Sequence, residues 1–272
     1  MRGLFLLLFG LCMVSSKAQE LYVNTEPASN MAAKSIGLRL AGRTWDRSPR
    51  LKSRLTPEIM LGISKKVMVH VEGSIADYYS DQVKPESINL YGKYRFVSMD
   101  GVQTHFRMAA YSRVSYSRNS GPFDDLNLEG DVSGFSSGIV VTQLLHKLAL
   151  SSTLGFARAV RTGDGLSAWN GEAFNYSLSA GYLLLPRSYT SYDQLNVNLY
   201  LELLGKTNPT IRESGALLLQ GGNSLALAPA LQFIISSQTR IDAGVRFDLQ
   251  NTGTSMGTVA LLRIEYNLFN AW

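Results

Sequence analysis

The chain has 272 residues, 45% of them apolar, a formal net charge of +5 and one cysteine. A helical membrane protein of this length carries several apolar runs of about 20 residues, and the only apolar run in sight, at the extreme N-terminus, is too short to span. The charge excess is mild, and no Lys/Arg cluster of the kind that tracks a phosphate backbone is present, which argues against a nucleic-acid partner.

Residues 1–18 read as a signal peptide. Arg2 supplies the positive start, Leu4 to Val14 form the apolar stretch, and Ser16 and Ala18 are the small residues before a cut at Gln19. Cleavage removes Cys12, the single cysteine, and with it any disulfide or thiolate metal site. Residues 19–33 are polar, contain Pro27 and lack alternation. Two readings stay open for them: a plug folded into a lumen, or a periplasmic tail that binds a partner.

From Lys34 onward, apolar and polar residues alternate with period two. In 194–203, Leu195, Val197, Leu199, Leu201 and Leu203 face one way, and Gln194, Asn196, Asn198, Tyr200 and Glu202 the other. The same reading predicts strands over 34–45, 54–63, 67–79, 86–97, 104–116, 132–144, 148–158, 172–184, 194–204, 224–235, 239–249 and 257–270. These are long for a soluble sheet, and about 9–11 residues suffice for a tilted strand to cross a bilayer.

The connections alternate as well. Those at 64–66, 98–103, 145–147 and 236–238 are short; those at 117–131, 160–171 and 205–223 are long and rich in Gly, Asn, Asp and Ser. The connection at 185–193 is longer than this rule predicts. Short periplasmic turns with long outer loops mark a transmembrane, antiparallel, up-and-down β-barrel, here of about twelve strands over 34–272. An even strand count puts both termini in the periplasm. The expected location is the bacterial outer membrane, with its bilayer and lipopolysaccharide outer leaflet as surroundings.

Aromatic residues such as Tyr78, Tyr94, Tyr116, Phe174 and Tyr266 lie towards predicted strand ends, as interfacial girdles require. The last strand alternates through Leu262, Ile264, Tyr266 and Leu268 to a final Trp272. Such an aromatic end resembles the signal read by the barrel-assembly machinery, an expected partner; Asn270 departs from that pattern.

Four stretches carry a family resemblance: Leu21 to Met31 (LYVNTEPASNM), Tyr94-Arg95-Phe96, His105 to Ala109 (HFRMA) and Thr142 to Ser151 (TQLLHKLALS). Together they resemble an uncharacterised family of outer-membrane β-barrels from Bacteroidota. The resemblance implies the compartment and a porin-like or transporter fold, sometimes associated with metal-efflux systems. It implies no activity.

The polar strand faces are where chemistry would sit in such a barrel. The His-x-Ser-Asn-Gly motif of barrel phospholipases is missing. The acidic pair Asp124-Asp125 falls in an outer loop, with no histidine near that end. Catalytic residues are therefore not expected, nor is a cofactor, and an enzyme is the third choice. The lumen face instead carries Arg39, Arg43, Arg54, Lys93, Arg95, Arg107, Arg113, Arg240, Arg246 and Arg263 against Glu58, Glu72, Glu202, Asp242, Asp248 and Glu265. Small neutral residues such as Ser136, Ser151, Ser177 and Ala228 face inward elsewhere.

Rings of arginine and lysine select anions, so the leading expectation is a passive pore for small anionic solutes. The competing one is a ladder in which acids pair with bases and fill the lumen, giving a non-conducting scaffold or partner-binding barrel. Met60, Met68 and His70, inward on neighbouring strands, are weak candidates for a soft metal; no metal site is expected.

Overall fold

The computed structural model describes residues 22–47, 50–119, 126–161, 169–188, 193–208, 210–213, 216–219, 221–251 and 257–272. The signal-peptide expectation for residues 1–18 lies outside them. The strands are β1 (Ser35–Arg47), β2 (Arg50–Gly62), β3 (Val67–Ala76), β4 (Lys84–Asp100), β5 (Thr104–Ser117), β6 (Gly134–Leu145) and β7 (Leu148–Arg161). After these come β8 (Trp169–Leu185), β9 (Asn196–Asn208), β10 (Ile211–Glu213), β11 (Ala216–Leu219), β12 (Gly222–Ile235), β13 (Thr239–Asn251) and β14 (Val259–Leu268).

Twelve of these close an antiparallel barrel, each strand pairing with its sequence neighbour and β1 pairing with β14 to complete the ring. The barrel strands match the period-two segments in number and order. The two remaining strands, β10 and β11, form a separate small hairpin inside the β9–β12 connection. The expectation for 205–223 is a loop, and the structure places this hairpin there: a strand of three or four residues is too short to show a period.

Closure leaves no unpaired sheet edge, the condition for a sheet to sit in hydrocarbon, where exposed N–H and C=O groups have no water partner. The side chains follow the pleat. Leu38, Leu40, Ile59, Leu90, Leu154, Leu178, Leu199, Leu201, Leu262 and Ile264 all point outward and are exposed. A continuous apolar belt of this extent is far larger than a water-soluble surface tolerates. It matches a bilayer, so the protein is a transmembrane barrel.

The inner face is the polar one. Lys93, Glu202, Gln232, Arg240, Asp242 and Arg263 are all buried there. Both barrel ends of the chain lie together, Ile36 opposite Leu268. This terminal end carries tight turns. In the three-residue connection between β12 and β13, Ser236 and Ser237 both have positive φ angles, 50° and 58°, and the Gln238 N–H donates back to the Ile235 carbonyl at 3.2 Å.

Candidate functional site

The lumen is occupied. Residues 22–33 pass into it from the terminal end, and their tip at Asn24–Glu26 faces a cavity in the opposite, loop-bearing half. A cluster of wall residues grips the main chain of this segment. Glu202 on β9 is fully buried, and its carboxylate accepts hydrogen bonds from the backbone N–H groups of Val23 (3.1 Å), Asn24 (2.8 Å) and Thr25 (2.9 Å). The Asn24 amide and Thr25 hydroxyl donate to the same carboxylate at 3.2 and 2.7 Å.

Arg263 on β14 does the converse, donating to the carbonyls of Tyr22 (2.8 Å) and Val23 (2.9 Å) while its Nε holds Asp242 at 2.5 Å. Lys93 on β4 donates to the carbonyls of Pro27 and Ser29 at 2.7 and 2.9 Å. Charge-assisted bonds of this kind are roughly twice as strong as neutral ones.

Side chains complete the seating. Tyr22 packs edge-on against Tyr200 with ring centres 5.5 Å apart. Ala28 is fully buried beside Ala109 and Val140, and its N–H donates to the Thr142 hydroxyl at 2.9 Å. Glu26 lies 3.3 Å from Lys93 and 3.4 Å from Arg39. Burial pushes the Glu26 carboxyl up, but Lys93 and Arg39 outweigh it and hold the group well below the ordinary carboxylate range. Between this segment and the β1–β4 wall a void of about 60 Å³ remains.

The strand bases are mostly paired. Arg39 meets Glu58 at 2.9 Å and Glu265 at 2.8 Å; Arg240 also pairs with Glu265 and lies 3.5 Å from Asp242. Arg107 donates to the Ser29 hydroxyl at 2.6 Å and to Asp100 at 3.2 Å. Glu72 accepts from Asn89 at 2.8 Å and lies 3.8 Å from Arg113. Arg95 is half-buried at a β-bulge near the terminal end. Arg246 and Asp248 line the larger cavity.

Strand parity counts ten bases against six acids on the barrel wall, and further acids enter the lumen from segments that carry no alternation or lie at a strand's edge. Glu26 comes from the N-terminal segment. Glu129 and Asp131 come from the β5–β6 connection, and Glu86 is the third residue of β4. Lys52 and Lys206 are additional bases, the latter donating to the Leu126 carbonyl at 3.3 Å. The lumen is therefore nearer to charge balance than its strands alone suggest. No sequence period reveals a loop that folds inward.

That loop, 126–132, forms the roof of the loop-end cavity. Leu126, Leu128 and Val132 pack on the small wall residues Ala157, Ala159 and Ala173. Arg54, held by Glu86 at 2.8 Å, pins Asp131 at 2.5 Å. Gly130 permits this clamp: a Cβ at that position would sit 2.7 Å from the Arg54 guanidinium carbon.

Below the roof lies a cavity of about 320 Å³. Arg43 and Arg113 face it and share the Glu129 carboxylate at 3.2 and 3.3 Å. Tyr91 stacks on Tyr111 with ring centres 5.8 Å apart, and Arg113 lies 5.6 Å over Tyr91. Among the described residues no histidine lines this cavity. The Asp124-Asp125 pair falls outside the described residues.

Met60 sits directly across from His70, with Met68 two residues along the same face; all three are buried. His70 is engaged by Glu58 through Nδ1 at 2.5 Å. Among the described residues no group of three or more His, Cys, Asp or Glu side chains stands close enough to hold a metal ion.

No protein-family model matches the sequence, and no curated protein matches it. Solved structures do match in shape. The NanC porin superposes with a TM-score of 0.52 over 85% of this chain and 97% of its own, at 8% identity. A loop L8 deletion mutant of OmpT, an outer membrane protein of Vibrio cholerae, and Salmonella typhi OmpF in complex with daunomycin give only 0.36 and 0.35, at 9% and 10% identity over 86% of this chain. At these identities the likeness concerns fold alone. The chain has the closed-barrel fold of outer-membrane porins.

Proposed function

We propose that this barrel is an outer-membrane pore or transporter for small, anionic solutes, closed in the described state by its own N-terminal segment. The observation that carries the reading is the pairing of an arginine-faced cavity in one half of the lumen with a seated segment in the other. Solute reaches Arg43 and Arg113 from the loop side, and onward passage requires residues 22–33 to move. The inward bases Arg95 and Arg107 then line the freed path and favour anions.

In this reading the terminal end is periplasmic and the long loops are extracellular. The outer belt contacts lipid, and the last strand, ending at Trp272, serves as the signal for assembly machinery. The wall residues act by charge and shape without catalysis. The sequence resemblance to a Bacteroidota barrel family supports the same compartment.

A second reading rests on the strength of the grip on residues 22–25: a permanently filled barrel that serves as a scaffold. Planar-bilayer recording separates the two. The pore reading expects that deleting residues 19–33 gives steady current, anion-selective under a salt gradient and reduced by Arg95→Ala or Arg107→Ala. Silence from the deleted and demonstrably folded barrel would leave the scaffold reading standing.

A further inference from the structure

The loop-end cavity has features that a passive constriction does not need. Its roof carries a carboxylate, Glu129, that reaches down and bridges two wall arginines on different strands, Arg43 on β1 and Arg113 on β5. The fit is imperfect. Arg113 Nη1 is buried and makes no hydrogen bond among the described residues, although Glu129 lies only 3.3 Å away. Two more polar atoms on the cavity wall, the Tyr91 hydroxyl and the Asn175 side-chain carbonyl, also have no hydrogen-bond partner among the described residues. Tyr91 itself is 5% exposed.

Buried polar atoms without partners are costly, at about 1–3 kcal/mol each. Several of them around one cavity of about 320 Å³ describe a surface shaped for a polar guest. That volume sits at the lower end of small-molecule pockets, about 300–1,000 Å³.

Resting on the pore reading but naming the solute, we propose that this cavity binds a small hydroxylated organic carboxylate. The carboxylate of the guest takes the place now held by Glu129 between Arg43 and Arg113. Its hydroxyl groups reach the Tyr91 hydroxyl and Asn175, and its body lies on the Tyr91–Tyr111 shelf. Glu129 is then a tethered competitor that occupies the anion site when no solute is present. A planar guanidinium fork pairs with a free carboxylate bidentately, a geometry that the loop-bound Glu129 does not reach on Arg113.

The test is calorimetric titration of the folded protein in detergent with glucuronate, and with glucose as its uncharged control. Folding is checked by the heat-dependent shift in gel mobility of an intact barrel. Wild type is expected to bind glucuronate saturably and glucose not at all. Glu129→Gln, which removes the competing charge, should bind at least about tenfold tighter, equivalent to 1.4 kcal/mol. The double variant Arg43→Gln, Arg113→Gln should lose binding.

Glu129→Asp serves as a second probe: it keeps the charge on a shorter arm, and its affinity should fall between those of wild type and Glu129→Gln. Binding absent from both wild type and Glu129→Gln overturns the proposal, as does equal or weaker binding by Glu129→Gln. Silent bilayers with binding intact would remove the pore reading and spare the site; currents without binding would do the reverse.

Discussion

Replacing Glu202 by glutamine tests the grip on the N-terminal segment with almost no change in volume. Five donors of the N-terminal segment converge on the Glu202 carboxylate: three on Oε1 from Val23 and Asn24, two on Oε2 from Thr25. An amide must place its NH2 on one side. Facing it towards Thr25 keeps three bonds and strands one backbone N–H, since the Thr25 hydroxyl is free to turn. A stranded buried N–H costs about 1–3 kcal/mol, and each surviving bond falls from charge-assisted to neutral strength, a further ~0.5–1 kcal/mol apiece. Even the low end, about 2.5 kcal/mol in all, approaches a hundredfold shift in the seating equilibrium.

The assay is amide hydrogen exchange followed by mass spectrometry on a peptide spanning residues 22–31, with barrel-strand peptides as internal reference. Exchange through unseating should accelerate about a hundredfold in that peptide alone. Protection unchanged within a factor of about three, in a barrel whose strands exchange normally, would refute the assignment of Glu202 as the clamp.

Three further outcomes are expected. Gly130→Ala places a methyl 2.7 Å from a guanidinium that Glu86 and Asp131 already fix, so the roof loop should come away at a cost of about 1–3 kcal/mol, read as new protease cleavage within 126–132. Leu201→Arg puts a charge into the lipid belt and should lower barrel stability by about 2–4 kcal/mol in urea titration from liposomes if it sits near the bilayer midplane; an unchanged midpoint would contradict the outward placement. Glu26 contributes its pairing fully above the free carboxylate value near ~4.3, because its bound value is lower still, and loses it as pH falls below that point. The difference in protection of residues 22–31 between wild type and Glu26→Gln, corrected for intrinsic exchange, should therefore be constant from about pH 5 to 8 and shrink only in acid; a difference that shrinks between about pH 5 and 7 would assign the titration to another group.

The barrel wall was legible because a strand with lipid on one side and a polar lumen on the other writes its environment into alternate residues. Tyr200 and Glu202 show this: parity placed both inward, and both are buried there. Parity is blind to anything that folds back into the lumen without being a strand. Glu26, Glu129 and Asp131 belong to such segments, so the partners of Lys93, Arg43 and Arg54 had no signal in their spacing. Glu86 escaped for a related reason. It sits near a register shift between β3 and β4, where a bulge interrupts the alternation that carries parity. The hairpin β10–β11 was missed because short strands outside the barrel have neither a lipid face nor a lumen face to declare them.

The clamp on residues 22–25 reads the polypeptide more than its letters: among the segment's donors to Glu202, only the Asn24 amide and the Thr25 hydroxyl belong to side chains. Glu202 and Arg263 take hold of N–H and C=O groups that every residue shares, save the N–H that proline lacks. The stopper can therefore drift widely in side chain while its trace through the barrel stays put. A proline at 23, 24 or 25 would defeat it where most other replacements would pass. For such a gasket, inheritance lies in the socket rather than in the piece that fills it.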